Sequence, residues 1–203
     1  MKKLFWVSAA AMAMSLMPAS AHFTLVEPAS WIVETNALGD PQKLAPCGGT
    51  SQNPGTPSGA LTDVIGGALL HIKLRETVFH PGHYRVALAV NARSELPADP
   101  EVTTRDTDKG PRSVSAKIMN PAAPPVLADG LFAHTEKAAP DTFFETDVRL
   151  PNINCGKCTV QIVEFMAEHG HNNDGDYSYH HCADLHIRAN PSLPIAKDWP
   201  GQS

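Results

Sequence analysis

Residues 69–90 read LLHIKLRETVFHPGHYRVALAV, and this stretch decides the fold class. Its first half alternates apolar Leu70, Ile72 and Leu74 with polar or charged neighbours, which is typical of a β-strand that buries one face. A Pro-Gly pair at 81–82 interrupts the chain, and a second alternating run follows it. Two strands separated by a turn are therefore predicted here.

Further strands are predicted from the same alternation, with turn residues between them. The chain contains 14 glycines and 18 prolines without a period, and it has no sustained helical pattern. Short strands at such intervals fit an all-β, immunoglobulin- or fibronectin-like antiparallel β-sandwich with long connecting loops. Two long connections, 36–59 and 92–142, should lie on the surface and shape a site. The second strand of the opening stretch is 84–90, and the remaining predicted strands are 22–26, 144–150, 159–166 and 183–187.

The composition and the charge exclude several classes of protein. A hydrophobic content of 42% with 18% charged residues is typical of a folded globular chain rather than a disordered one. A net charge of −5 gives no reason to expect nucleic acid as a partner. Because no repeat or linker divides the sequence, we expect one domain, residues 22–203, acting as a monomer, with a loosely held tail from about residue 190.

The first 21 residues have the pattern of an export signal. A basic start, Met1-Lys2-Lys3, precedes an apolar run from Leu4 to Met17 that is too short to span a bilayer comfortably. Ala19-Ser20-Ala21 follows with the small-x-small pattern that signal peptidase cleaves. We therefore expect residues 1–21 to be a signal peptide. The mature protein should be exported, to the periplasm or the extracellular space, with no membrane association after cleavage.

Cleavage after Ala21 would make His22 the first residue of the mature chain. An N-terminal histidine offers two nitrogen donors, the α-amine and the imidazole, and the amine loses its proton near neutral pH. A second imidazole would complete a planar three-nitrogen site, which suits Cu(II), the strongest binder in the divalent series. The alternative is that a histidine stands at this position by chance.

Two candidates for the second imidazole lie on one turn. His80 and His83 flank Pro81-Gly82 just before the second predicted strand. Proline and glycine fix this backbone, which would pre-organise an imidazole for a metal. The alternative is a surface turn on which histidine merely tolerates solvent.

Five more histidines lie near the C-terminus. His169 and His171 are two residues apart, so they share a face if a strand extends that far. His180 and His181 must point in opposite directions in a strand, so at most one of them faces any given site. The fifth, His186, lies on the last predicted strand.

The four cysteines indicate two disulfides in an oxidising compartment. Cys155 and Cys158 have the C-x-x-C spacing of a thiol-disulfide centre, but they precede a strand instead of opening a helix that would activate the thiol. Of the three possible pairings we favour Cys155–Cys158 together with Cys47–Cys182, and the second of these would close a long loop.

Five segments together resemble a known family. They occur in the same order as in the lytic polysaccharide monooxygenases and their bacterial monooxygenase-like relatives, which are small secreted sandwiches that hold copper in a histidine brace. The segments are 22–28 (HFTLVEP), 46–49 (PCGG), 80–85 (HPGHYR), 155–161 (CGKCTVQ) and 177–185 (YSYHHCADL).

The resemblance implies a role for each matching residue. His22 would supply its amine and its side chain to one copper ion. His80 stands where the family has its second brace histidine, with His83 as the alternative. Tyr179 matches the axial tyrosine of many members, and His169 resembles the histidine that can hydrogen-bond an oxygen species. Tyr179 and His169 are thus the implied catalytic residues.

The sequence also departs from the family pattern. Tyr177 stands where fungal cellulose-active members carry a glutamine, two residues before the axial tyrosine. Aromatic residues that could grip a crystalline polymer are candidates by residue type alone: Trp31, Tyr84 and Trp199. The resemblance therefore bears more directly on the copper site than on the substrate.

The resemblance implies copper-dependent oxidative cleavage of a polysaccharide of the chitin or cellulose type, with an external electron donor. It also implies the pairing of Cys47 with Cys182, in agreement with the pairing favoured above. The alternative function is an exported copper-binding carrier or chaperone that has the same brace and no polysaccharide substrate. A thiol oxidoreductase acting through Cys155 and Cys158 is a third hypothesis.

Overall fold

The computed structural model of the protein describes residues 22–40 and 42–202, and it is nearly all β-structure. This part of the chain holds ten strands and one short 3-10 helix, Arg93–Glu95. The predicted all-β fold is confirmed, and the predicted signal peptide, residues 1–21, lies outside the described residues. The strands are β1 (His22–Glu27), β2 (Thr62–Ile65), β3 (Leu69–Val78), β4 (Gly82–Ala89), β5 (Val102–Arg105), β6 (Arg112–Ala116), β7 (Val126–His134), β8 (Phe144–Arg149), β9 (Cys155–Met166) and β10 (Ser178–Arg188).

The strands form two facing sheets and a hairpin. One sheet has the order β1-β3-β8, the other has the order β2-β10-β9-β4-β7, and β5 pairs with β6. The paired strands are antiparallel, except that β2 runs parallel to β10. Ile72 and Leu74 of the first sheet share one hydrophobic core with Val86, Ile162 and Leu185 of the second, which is the packing of a sandwich.

The strands β3 and β9 show different burial patterns. In β3, Leu70, Ile72 and Leu74 are buried and their neighbours are partly exposed, because one face of this sheet meets solvent. From Cys158 to Met166, β9 is buried throughout. The reason is a second hydrophobic cluster that covers the outer face of the larger sheet. It consists of Cys47, Ala87, Ala89, Leu96, Val126 and Cys182, with Trp31 packed against them.

Both predicted disulfides are present, Cys47–Cys182 and Cys155–Cys158. The first ties the long connection 36–59 to β10. In the second, Cys158 is fully buried at the start of β9, whereas a reactive thiol needs access to its partner. Two disulfides are typical of proteins outside the reducing cytoplasm. The described residues contain no helix that is long and apolar enough to cross a membrane.

One expectation about loops needs correction, and one strand was missed. The connection 92–142 contains β5, β6 and β7, and β7 is the edge strand of the larger sheet beside β4. These strands are short or interrupted by register shifts, so they lack a clear alternation in the sequence. The missed strand is β2, which follows the predicted connection 36–59 and whose four residues, TDVI, are too few for a pattern.

The chain after residue 190 is fastened to the sandwich instead of being loosely held. The side-chain amide of Asn152 donates hydrogen bonds to the carbonyl oxygens of Asn190, Leu193 and Pro194 at 3.1, 2.9 and 3.0 Å. Trp199 is 7% exposed and belongs to the main core. The sequence expectation failed here because proline-rich segments without strands can still dock through side chains.

Candidate metal centre

His22 and Tyr179 meet at one end of the sandwich. His22 is the first residue of β1, Tyr179 is the second residue of β10, and their ring centroids lie 5.5 Å apart. Tyr179 is fully buried, while His22 is partly exposed. The register of β1 with β3 places His22 directly opposite Val78, which precedes His80 by two residues. The first strand thus delivers the predicted N-terminal ligand to the turn that carries the second one.

His80 lies in the turn between β3 and β4, and its ring packs 4.8 Å from that of His169. The ring is largely buried, and its pKa is lowered to about 4 by this burial first and then by the neighbouring His169 and His22. A neutral imidazole is the form that binds a metal. Gly82 makes the turn possible, because a Cβ at this position would collide with the Phe165 carbonyl oxygen of β9.

His83, the alternative second ligand, occupies a different environment. It is the second residue of β4, and its ring packs 5.2 Å from Phe165. Burial lowers its pKa, and Asp129 and Arg85 are the charged groups that act on it. Together with Pro81 and Val114 it lines an apolar groove between β4 and β6. The geometry therefore favours His80 over His83 as the partner of His22.

The end of β3 holds both predicted ligands through their backbones. The Thr77 hydroxyl lies within hydrogen-bonding distance of the His22 carbonyl oxygen, at 2.9 Å, and of the Leu38 carbonyl oxygen. The neighbouring Glu76 accepts a hydrogen bond from the His80 backbone N–H at 3.1 Å. Sequence reasoning missed both residues. Glu76 did leave a signal in the sequence. It lies two residues after Leu74, on the inward-facing side of β3, so a carboxylate stands where an apolar residue is expected.

A row of buried polar side chains crosses the larger sheet beside this site. Glu164 of β9 is paired in register with Tyr84 of β4 on one side and with Tyr179 of β10 on the other. Glu164 is fully buried, which raises the pKa of its carboxyl group well above the ordinary value, and the charge of Glu76 acts in the same direction. The row therefore places Tyr179 beside a carboxyl group whose neutral form is favoured by burial. A single glutamate inside an apolar strand was the sequence signal for it.

The histidines of β10 point to opposite faces of the sheet, as the sequence predicts. The His180 ring contacts Asp99 at 2.7 Å and the Lys43 carbonyl oxygen at 3.1 Å on the outer side. The His181 ring is fully buried on the inner side and donates to the Phe23 carbonyl oxygen at 2.9 Å. Both rings thus fasten neighbouring segments of the chain.

The two other C-terminal histidines lie on the surface. His186 contacts Asp63 of β2 at 2.7 Å, and His171 lies 3.8 Å from Asp176 in the turn before β10. The turn itself is closed by the hydrogen bond from the Asn172 backbone N–H to the Asp176 carbonyl oxygen at 2.6 Å. His171 and His186 thus face surface carboxylates, whereas His80 and His169 pack against each other.

The aromatic candidates for a polymer-binding face do not form one. Tyr84 is fully buried and Trp199 is 7% exposed, because both belong to the core. Trp31 is partly exposed, but the Arg93 guanidinium lies over its ring at 4.0 Å and its indole N–H donates to the Cys47 carbonyl oxygen at 2.7 Å. It lines a cleft of about 400 Å³ beside Asp184.

The donor set fits a metal held partly by an N-terminal amine. Among residues 22–40 and 42–202, no group of three or more His, Cys, Asp or Glu side chains is placed to hold a metal ion. A brace needs two imidazoles and the α-amine of the first residue, and His22 and His80 would supply its side-chain part. The neutral state of His80 and the position of His22 at the start of β1 suit this chemistry.

The comparisons with known proteins leave the family open. No protein-family model matches the sequence, and no curated protein matches it.

Proposed function

We propose that this protein is an exported mononuclear copper protein that oxidises a polysaccharide of the chitin or cellulose type. One observation carries the proposal. The register of β1 with β3 sets His22 opposite Val78, two residues before His80, and each of the two histidines has one of the expected companion rings beside it. The resemblance of the five sequence segments to the monooxygenase-like family supplies the reaction.

Each of four residues would have a separate role. His22 would bind copper through its α-amine and its ring, and His80 would bind it through a neutral imidazole. Tyr179, buried against His22, would limit the access of solvent and small molecules to that ring. His169, packed against His80, would donate or accept a hydrogen bond where the reactive oxygen species and the substrate meet. When bound, copper supplies the one-electron chemistry by which dioxygen or hydrogen peroxide attacks a C–H bond, with electrons from an external donor.

A second candidate is an exported copper carrier or chaperone that uses the same two histidines. The specific observation in its favour is the burial of Tyr84 and Trp199 and the covering of Trp31 by Arg93. An enzyme that acts on a crystalline polymer needs an accessible binding face, whereas a carrier does not. The two candidates share the metal site and differ in the substrate.

The test uses the mature protein, produced with its own leader so that His22 carries a free amine. Copper-loaded protein, a reductant and chitin or cellulose should yield oxidised oligosaccharides, detected by mass spectrometry. A chain with one methionine added before His22 is the matched control, because it keeps every side chain and removes the histidine α-amine. Tight copper binding without oxidised products would favour the carrier, and equal copper binding by the control would overturn both candidates.

A further inference from the structure

The last residues of β3 contact both arms of the proposed copper site from behind. Thr77 reaches the His22 carbonyl oxygen at 2.9 Å, and Glu76 accepts from the His80 N–H at 3.1 Å. The two contacts come from adjacent residues, and adjacent side chains of a strand point to opposite faces. One short segment therefore holds β1 on one side and the turn on the other.

Glu76 is itself fixed by a chain of hydrogen bonds that starts on β7. The His134 ring places Nδ1 2.8 Å from the Phe132 carbonyl oxygen and Nε2 3.1 Å from the Glu76 carboxylate. Since a carbonyl oxygen only accepts, Nδ1 must carry a proton, and the contact of Nε2 with the carboxylate then requires one more shared proton. The Glu76 side chain is 4% exposed, so this chain is shielded from water. The contact from His134 therefore restricts the position of the Glu76 carboxylate.

The two ligands need such support for different reasons. His22 would be the first residue of the mature chain, and a chain end is poorly ordered unless it is tied down. His22 pairs with Val78 of β3, but the register shifts at the very next residue. The hydrogen bond from Thr77 is therefore a strong local constraint on the His22 backbone. His80 stands in a turn, where no strand partner fixes its backbone N–H, and Glu76 takes that role.

We propose that Thr77 and Glu76 are positioning residues that set the distance and the angle between His22 and His80. This inference rests on the proposed copper site. Outer groups that orient metal ligands typically change metal affinity by about 10- to 100-fold when they are removed. The segment therefore sets both how tightly the site binds copper and how its coordination is shaped.

The experiment compares paired variants of the mature protein. Thr77→Val removes the hydroxyl at nearly constant shape, and Thr77→Ser keeps a hydroxyl at the same position. Glu76→Ala removes the acceptor for the His80 N–H, and Glu76→Gln keeps one. Thr62→Val, in β2 at the far edge of the larger sheet, is the control for a threonine-to-valine change in a strand.

Copper affinity is measured by competition with a chelator, and the coordination by the hyperfine splitting in the EPR spectrum of Cu(II). Thr77→Val should bind copper about 10-fold more weakly and Glu76→Ala about 10- to 100-fold more weakly, each with a shifted hyperfine splitting. Thr77→Ser, Glu76→Gln and Thr62→Val should stay close to the parent in both readouts. A loss of folding alone would not shift the spectrum of the copper that remains bound.

The outcomes separate this inference from the proposed function. If His22→Ala and His80→Ala lose copper while Thr77→Val and Glu76→Ala keep the parent affinity and spectrum, the positioning role is refuted and the copper site stands. If His22→Ala and His80→Ala bind copper like the parent, the copper site itself is refuted. Where Glu76→Ala does not fold, as judged by circular dichroism, Thr77→Val decides the question alone.

Discussion

The proposed copper site and the outer face of the three-stranded sheet surround histidine in opposite ways. At the first, His80 is buried beside His169 and His22, and its pKa is lowered to about 4. On the outer face, His71 of β3 is exposed, and the hydrogen bond of its ring with Asp147 raises its pKa. A ring held neutral can bind a metal, whereas a ring held charged suits an ion pair. Burial and neighbours, not residue type, therefore separate the two roles.

The largest expected effect is the loss of copper binding when a proposed ligand is removed. His22→Ala or His80→Ala should weaken the affinity by orders of magnitude, because each removes a nitrogen donor. His71→Ala and His186→Ala should change it little, since both rings face carboxylates on the surface. Calorimetric titration of the mature variants with copper measures these affinities. If His83→Ala proves to be the damaging change, the second ligand has been assigned to the wrong histidine.

Acid should destabilise the metal-free protein through its buried histidines. The pKa values of His80 and His181 are both lowered to about 4, chiefly by burial, from an ordinary value near 6.5. Their contribution to stability is complete above pH 6.5 and is lost as the pH falls toward 4, by about 2–3 kcal/mol for each ring. His71 has the opposite sign, because its raised pKa makes its contribution present at low pH and absent at high pH.

NMR titration of the imidazole resonances isolates this loss from that of other groups, since His181 should titrate far below His71. Urea unfolding at several pH values between 7 and 4.5 gives the net change, to which the raised pKa of Glu164 contributes with the opposite sign. A His181 ring that titrates near the ordinary value of 6.5 would contradict its buried, neutral state.

Copper should stabilise the folded mature protein by mass action. At a free copper concentration 100 times the dissociation constant, the gain is about 2.7 kcal/mol, provided that the unfolded chain binds no metal. The thermal midpoint of the parent should therefore rise on addition of copper, while that of His80→Ala should not. Calorimetric scans with and without copper make the measurement, and an equal rise in both proteins would indicate binding elsewhere.

The smallest effect is expected for the outer histidine. His71→Gln removes contacts with Asp147 at 2.9 Å and Glu145 at 3.2 Å, but all three side chains are exposed. Exposed ion pairs contribute little to stability, so the thermal midpoint and the copper affinity should both stay close to the parent values. Thermal scans at low and high salt test this. A large loss in either quantity would mean that the outer face supports the proposed copper site.

The sequence predicted the parts of the fold whose pattern is local. The alternation of Leu70, Ile72 and Leu74 indicated β3 correctly, and the adjacency of His180 and His181 placed their rings on opposite faces. Other features depend on contacts that no local pattern encodes, such as the docking of the C-terminal segment by Asn152.

The candidate site likewise combines residues that the sequence predicted with contacts that only the assembled fold shows. The positions of His22 and His80 were chosen from the sequence, but the support of His22 by Thr77 depends on the register of two strands that are far apart in the chain. The resemblance already preferred His80 to His83, and the fold adds the ring against which each of them packs. Glu164 could have been noticed as a lone carboxylate in an apolar strand, but its pairing with Tyr84 and Tyr179 requires the assembled sheet.

The disulfide between Cys47 and Cys182 joins residues 135 positions apart, so most of the domain is one covalent ring. A protease that cuts a single peptide bond between these two cysteines opens the ring without releasing a fragment. The nicked molecule would keep its full mass, except for one added water, until a reductant separates the pieces. Electrophoresis of protease-treated protein with and without reductant would reveal such silent cuts.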